Sequence, residues 1–128
     1  MKSIEKDGVL IAIHFDGTFT EGTQPQTDEG FPLQVLSLKH PKGKILLAHA
    51  HTPRDRTTHE LMECLVVLSG RILANIFHEN ELFESIEMGP KEALMLVRGG
   101  VGYEILEDAE MMEFKNGPYL EDKSLINA

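Results

Sequence analysis

Two imidazoles and a carboxylate stand out by type and spacing. His49 and His51 flank Ala50. An extended strand sends alternate side chains to opposite faces, so both rings would project to the same side. Glu63 follows after a polar loop, and Gly70 closes the stretch. Such a set supplies three of the donors a first-row metal takes. Two histidines and one carboxylate with open positions is the arrangement of non-haem iron oxygenases, and three protein ligands plus water is that of catalytic zinc. The metal-free alternative is a pair of hydrogen-bonded pocket histidines, with Glu63 paired to Arg98 or to a histidine. Cys64 falls on the face opposite Glu63, which predicts core packing rather than a nucleophile.

The elements that position these residues read as short strands. Val9–Phe15 is an apolar run after Gly8, and residues 16–32 have the Gly, Thr, Asp and Pro content of one long loop. Leu33–Lys39 alternates, His40–Gly43 is a turn, and Lys44–His51 is predicted as a strand covered on both sides. Thr52–Glu60 is a polar loop. Leu61–Leu68 fits either a helical or a strand period. The Ser69-Gly70-Arg71 turn leading into Ile72–Phe77 favours a β-hairpin. Leu82–Met88, Ala93–Arg98, Val101–Leu106 and Glu110–Phe114 complete the strands, followed by a polar tail. His14, His40 and His78 are expected to be exposed, and the acids from Glu79 to Glu92 to form a solvated face. Many short runs between turn signals predict an all-β sandwich or barrel.

The totals agree with a soluble globular chain. The 128 residues are 41% hydrophobic and 26% charged, with a net charge of −9. One domain is expected at this length. The acidic balance argues against nucleic acid or an anionic membrane as partner. One cysteine excludes an intrachain disulfide framework, and no apolar run has the length of a signal peptide or a spanning helix. A cytoplasmic location is the resulting expectation.

Gly43, His49, His51, Glu63 and Gly70, in that order, resemble the first motif of the cupin superfamily. Gly89, the strand Ala93–Val97 and the turn Arg98-Gly99-Gly100-Val101-Gly102-Tyr103 resemble its second motif. The turn is similar to the Gly-Gly-His-Gly-Phe turn of a group of small bacterial cupins. Residues 113–119, EFKNGPY, are similar to that group's Glu-Val-Lys-Gln-Gly-Pro-Tyr ending. On this register Val101 stands where the family has a metal-binding histidine. The resemblance covers roughly residues 33–114, with a strand and loop before it and a tail from 115 to 128. It implies a single cupin domain, a double-stranded β-helix (jelly-roll) barrel.

The resemblance also implies a small-molecule ligand, sugar-derived by analogy with surface-polysaccharide and nucleotide-sugar pathways. His49, His51 and Glu63 would be the ligands of a divalent zinc, iron, manganese or nickel ion. His49, Glu63 and Tyr103 are the candidates for catalysis of an isomerase- or epimerase-like reaction, and Arg98, Val101 and Tyr103 for ligand contact. A non-catalytic binding or regulatory cupin is the main alternative, and a metal-dependent oxygenase the next. Apolar outward faces lead to the expectation of a homodimer, built on a sheet face or by strand exchange.

Overall fold

The structure is a computed structural model that describes residues 1–126. It is all-β, with strands β1 (Lys2–Lys6), β2 (Val9–Phe15), β3 (Gly22–Pro25), β4 (Leu36–Lys39), β5 (Glu63–His78), β6 (Glu81–Met88), β7 (Ala93–Leu96) and β8 (Gly100–Lys115). Two compact units are distinct. One joins Met1–Thr18 to the chain from Leu61 onward, and the other is Phe19–Glu60.

The first unit is a strongly curled antiparallel sheet forming a half-barrel. β5 is its spine. One side of β5 pairs first with β7 and then with β6, and the other side pairs with β8 along almost its whole length. β2 lies beyond β7, and β1 beyond β2. The β-hairpin expected at Gly70 is corrected here: β5 runs straight through it. The flanking runs share one partner strand, β8, and Gly70 sits among register shifts between Val67 and Ile72. Its φ is +83°, and a Cβ there would overlap the Asp108 carbonyl. A bulge glycine bends and twists a strand without ending it. Val101–Leu106 and Glu110–Phe114 are likewise one strand, not two, since both pair with β5 on either side of the same register shifts.

The inner face carries the core. Leu65, Val67, Ile72, Ala74 and Ile76 of β5 pack with Ala12, Leu94 and Met88, all buried. At roughly 1.5–3 kcal/mol for each large aliphatic side chain, this face dominates the unit's stability. The opposite face buries Ile13, Phe15, Met62, Cys64, Met95 and Val97. The chain after β8 is more than the polar tail expected. The Asn116 side chain accepts the Met62 N–H at 2.8 Å, and Ile126 lies where a Cβ on Gly100 would fall.

The second unit is built differently. β3 and β4 pair antiparallel, from Gly22 opposite Lys39 to Pro25 opposite Leu36. The expected long loop therefore contains a strand, and only the last four residues of the run 33–39 join its ladder. Side-chain hydrogen bonds hold the pair: Gln26 donates to the Oγ of buried Ser37 at 3.0 Å, and Gln34 donates to the carbonyls of Asp28 and Phe31, each at 2.9 Å. The strand predicted at Lys44–His51 is not formed. Residues 45–60 have no regular structure, and Ile45 and Leu47 are 76% and 82% exposed. Alternation makes a strand possible, but a strand exists only with a partner for its amides and carbonyls.

Candidate functional site

The half-barrel's inner face carries polar groups on both sides of its apolar core. One row across the sheet runs Ile4, Ala12, Leu96, Glu63, Lys115, and the next runs Lys2, His14, Leu94, Leu65, Glu113. Paired residues share a face, so Glu63, Glu113 and Lys115 meet at the β8 end of these rows. The Lys115 ammonium is 3.8 Å from Glu63 and 3.6 Å from Glu113. Burial holds the Glu63 carboxyl above its ordinary range. Glu113 raises it further through a shared hydrogen bond and like charge, against the lowering pull of Lys115.

Tyr103 and Val101 lie on this same face, opposite Ala74 and Ile76 of the core. Burial raises the Tyr103 phenol well above its usual value, and the nearby charges of Glu63 and Glu113 add to this. The phenol is a neutral hydrogen-bond donor at any physiological pH. The alternation predicted for Val101 and Tyr103 is thus observed. Arg98 stands apart: its side chain is exposed, and its backbone N–H donates to the Ile11 carbonyl at 3.2 Å. Cys64 points to the opposite, buried face, where burial pushes its thiol up to about 11.

His49 and His51 belong to the second unit and are exposed. Their rings meet edge to face with centroids 5.0 Å apart. His49 Nδ1 lies 3.1 Å from the Leu47 carbonyl. A proton on that nitrogen leaves Nε2 as a free donor atom, the tautomer a metal ligand needs. Among the described residues, no three of His, Cys, Asp and Glu gather into a group that could hold a metal ion.

Three other histidines depart from expectation, being half-buried rather than exposed. His14 Nε2 is 2.8 Å from Glu92 Oε1, while Glu92 Oε2 accepts the Gly89 N–H at 2.8 Å. Glu92 therefore closes the β6–β7 turn and is not part of a solvated acidic face. His40 bonds Thr23 at 2.9 Å, and the His78 side chain is only 17% exposed. Sequence reasoning missed Glu113 and Lys115 as site residues. Their spacing of two, on the strand opposite Glu63, was the available signal.

These features define an all-β protein with a curled half-barrel whose inner face carries polar groups beside its apolar core. Among the described residues, no helix is long and apolar enough to cross a membrane. No family model matches the chain, and no curated protein or solved structure shows a significant match to it.

Proposed function

We propose that this chain is a cupin-type jelly-roll protein that binds a small, hydroxyl-rich molecule, sugar-derived by class, on the inner face of its barrel. The observation that carries the reading is the polar group Glu63, Tyr103, Glu113 and Lys115 on the inner face, beside the apolar core. Carboxylates accept from hydroxyls, and the Tyr103 phenol and Lys115 ammonium donate. This mixture suits a neutral polyol better than an anion.

A divalent metal held by His49, His51 and Glu63 belongs to the same reading. The donor chemistry fits: two imidazoles, one with a free Nε2 when Nδ1 faces the Leu47 carbonyl, and a carboxylate whose charge burial disfavours. A cation beside Glu63 would restore its ionised form. Bound metal would supply Lewis acidity toward a carbonyl or hydroxyl. The chain's own residues would orient the ligand, with Tyr103 donating to it and Glu113 accepting. Isomerase- or epimerase-like chemistry is the reaction class this arrangement suits.

A second reading has its own support. Lys115 already stands 3.8 Å from Glu63, so the carboxylate has a cation partner without metal. The protein is then a metal-free binding module. Elemental analysis of untagged protein, with His49→Ala and Glu63→Ala alongside, decides between the two. Near-stoichiometric metal in the parent, lost in both variants, is the expected result. No metal after incubation with iron, manganese, nickel and zinc would end the metal reading.

A further inference from the structure

β8 pairs only with β5, so one whole edge of a 16-residue strand has no partner among the described residues. Large apolar side chains stand open along it. Ile105 lies on the inner face at 53% exposure, and Met112 and Phe114 on the outer face at 51% and 49%. A long, apolar, unpaired edge is a template for a further strand, and proteins normally cover such edges. Residues 44–51 have the complementary defect. They have the length and composition of a strand, are apolar at Ile45, Leu46 and Leu47, and join no strand ladder among the described residues of their own unit.

Charge matches the two. β8 carries Glu104, Glu107, Asp108, Glu110 and Glu113 against the single cation Lys115. Residues 39–56 carry Lys39, Lys42, Lys44, Arg54 and Arg56 against the single acid Asp55. In a chain of net charge −9 this local excess of cations is unusual, and it would steer the segment toward an acidic edge.

We propose that the free edge of β8 takes residues 44–51 from a second copy of the chain, so that a reciprocal exchange builds a dimer. Each copy offers one edge and one strand, which is the self-complementarity a two-fold interface requires. Glu113 and Lys115 lie on β8, beside Glu63 of β5. A register that sets the histidine end of the added strand beside Glu113 and Lys115 would bring His49 and His51 of the partner subunit toward this polar group, and the site would then be shared between copies. This last step rests on the metal reading above; the strand exchange does not.

The test uses the full chain at micromolar concentration. Light scattering is expected to give twice the 14.3 kDa of one chain. Hydrogen exchange is expected to show protected amides over 44–51. Ala48→Pro removes an amide donor from an exposed segment. It is expected to give single-chain mass, free exchange over 44–51 and an unchanged far-ultraviolet spectrum. Raised salt is expected to weaken the parent dimer at least tenfold. Single-chain mass in the parent overturns the proposal, as does a dimer that survives Ala48→Pro.

Mixing then separates the shared site from the exchange. A His49→Ala/His51→Ala chain combined with a Glu63→Ala chain restores one intact site per mixed dimer only if the ligands come from two copies. Cobalt binding by the mixture, and by neither variant alone, is the expected result. Cobalt bound by the parent but not by the mixture overturns the shared site. A dimer that meets the mass and exchange criteria but binds no cobalt leaves the strand exchange standing and removes the metal reading.

Discussion

Val9–Phe15 and Lys44–His51 are close counterparts in sequence: VLIAIHF and KILLAHAH are both short, aliphatic and carry histidine toward the C-terminal end. Their fates differ completely. The first lies between β1 and β7, bonded on both edges, with Ile11 and Ala12 fully buried. The second has no ladder in its unit, and Leu47 is 82% exposed. Local pattern confers the capacity to be a strand, and a neighbouring edge turns that capacity into structure. An apolar run left without an edge is then a place to look for a partner.

The comparison is sharpest in a pair of truncations. Ile11→Ala leaves a cavity in a packed face and is expected to destabilise the half-barrel by about 2–5 kcal/mol. Leu47→Ala should change single-chain stability by no more than about 0.5 kcal/mol. Urea unfolding at low and high protein concentration checks both. If strand exchange holds, Leu47→Ala loses stability only at high concentration. An equal loss at every concentration would mean that Leu47 is buried within one chain, and would break the contrast.

Two glycines extend it. Gly70 and Gly43 both have left-handed φ, +83° and +91°. A Cβ on Gly70 meets the β8 backbone, whereas one on Gly43 meets nothing. Gly43→Ala is expected to cost about 1 kcal/mol, the conformational term alone. Gly70→Ala should cost about 2 kcal/mol or more and flatten the bend that curls β5. Thermal melts of the two variants measure the difference.

A smaller effect at neutral pH comes from Cys64. Its thiol is raised from 9.0 to about 11 by burial. The folded state therefore favours the protonated form. The stability linked to this group is complete below pH 9 and falls as pH rises from 9 toward 11, by an amount of order 2 kcal/mol. Cys64→Ala should abolish this part of the alkaline slope. Alkylation of the folded protein at pH 8 should be slow, since little thiolate forms there.

Much of the fold was legible because alternation and turn residues report burial directly. β2, β6 and β7 stand where the apolar runs predicted, and the turn at Glu79-Asn80 takes the positive φ that its residues tolerate. Gly70 was misread because a glycine between two apolar runs looks the same in a hairpin and in a bulge. Only the shared partner β8 distinguishes them. Glu92 looked like one more surface acid because its partners, His14 and the Gly89 amide, include one 78 residues away. Glu113 and Lys115 were equally opaque, since their role depends on which strand lies beside Glu63.

By itself the sequence determined the all-β class, the burial of Cys64 and the common side of Val101 and Tyr103. Each follows from the two-residue period of an extended backbone, a local property. The tertiary structure alone decided that β5 and β8 run unbroken past Gly70, that Glu63 meets Glu113 and Lys115, and that Val9–Phe15 is paired while Lys44–His51 is not. Those outcomes depend on hydrogen bonds and burial between residues far apart in the chain, and no local period encodes which edges will meet.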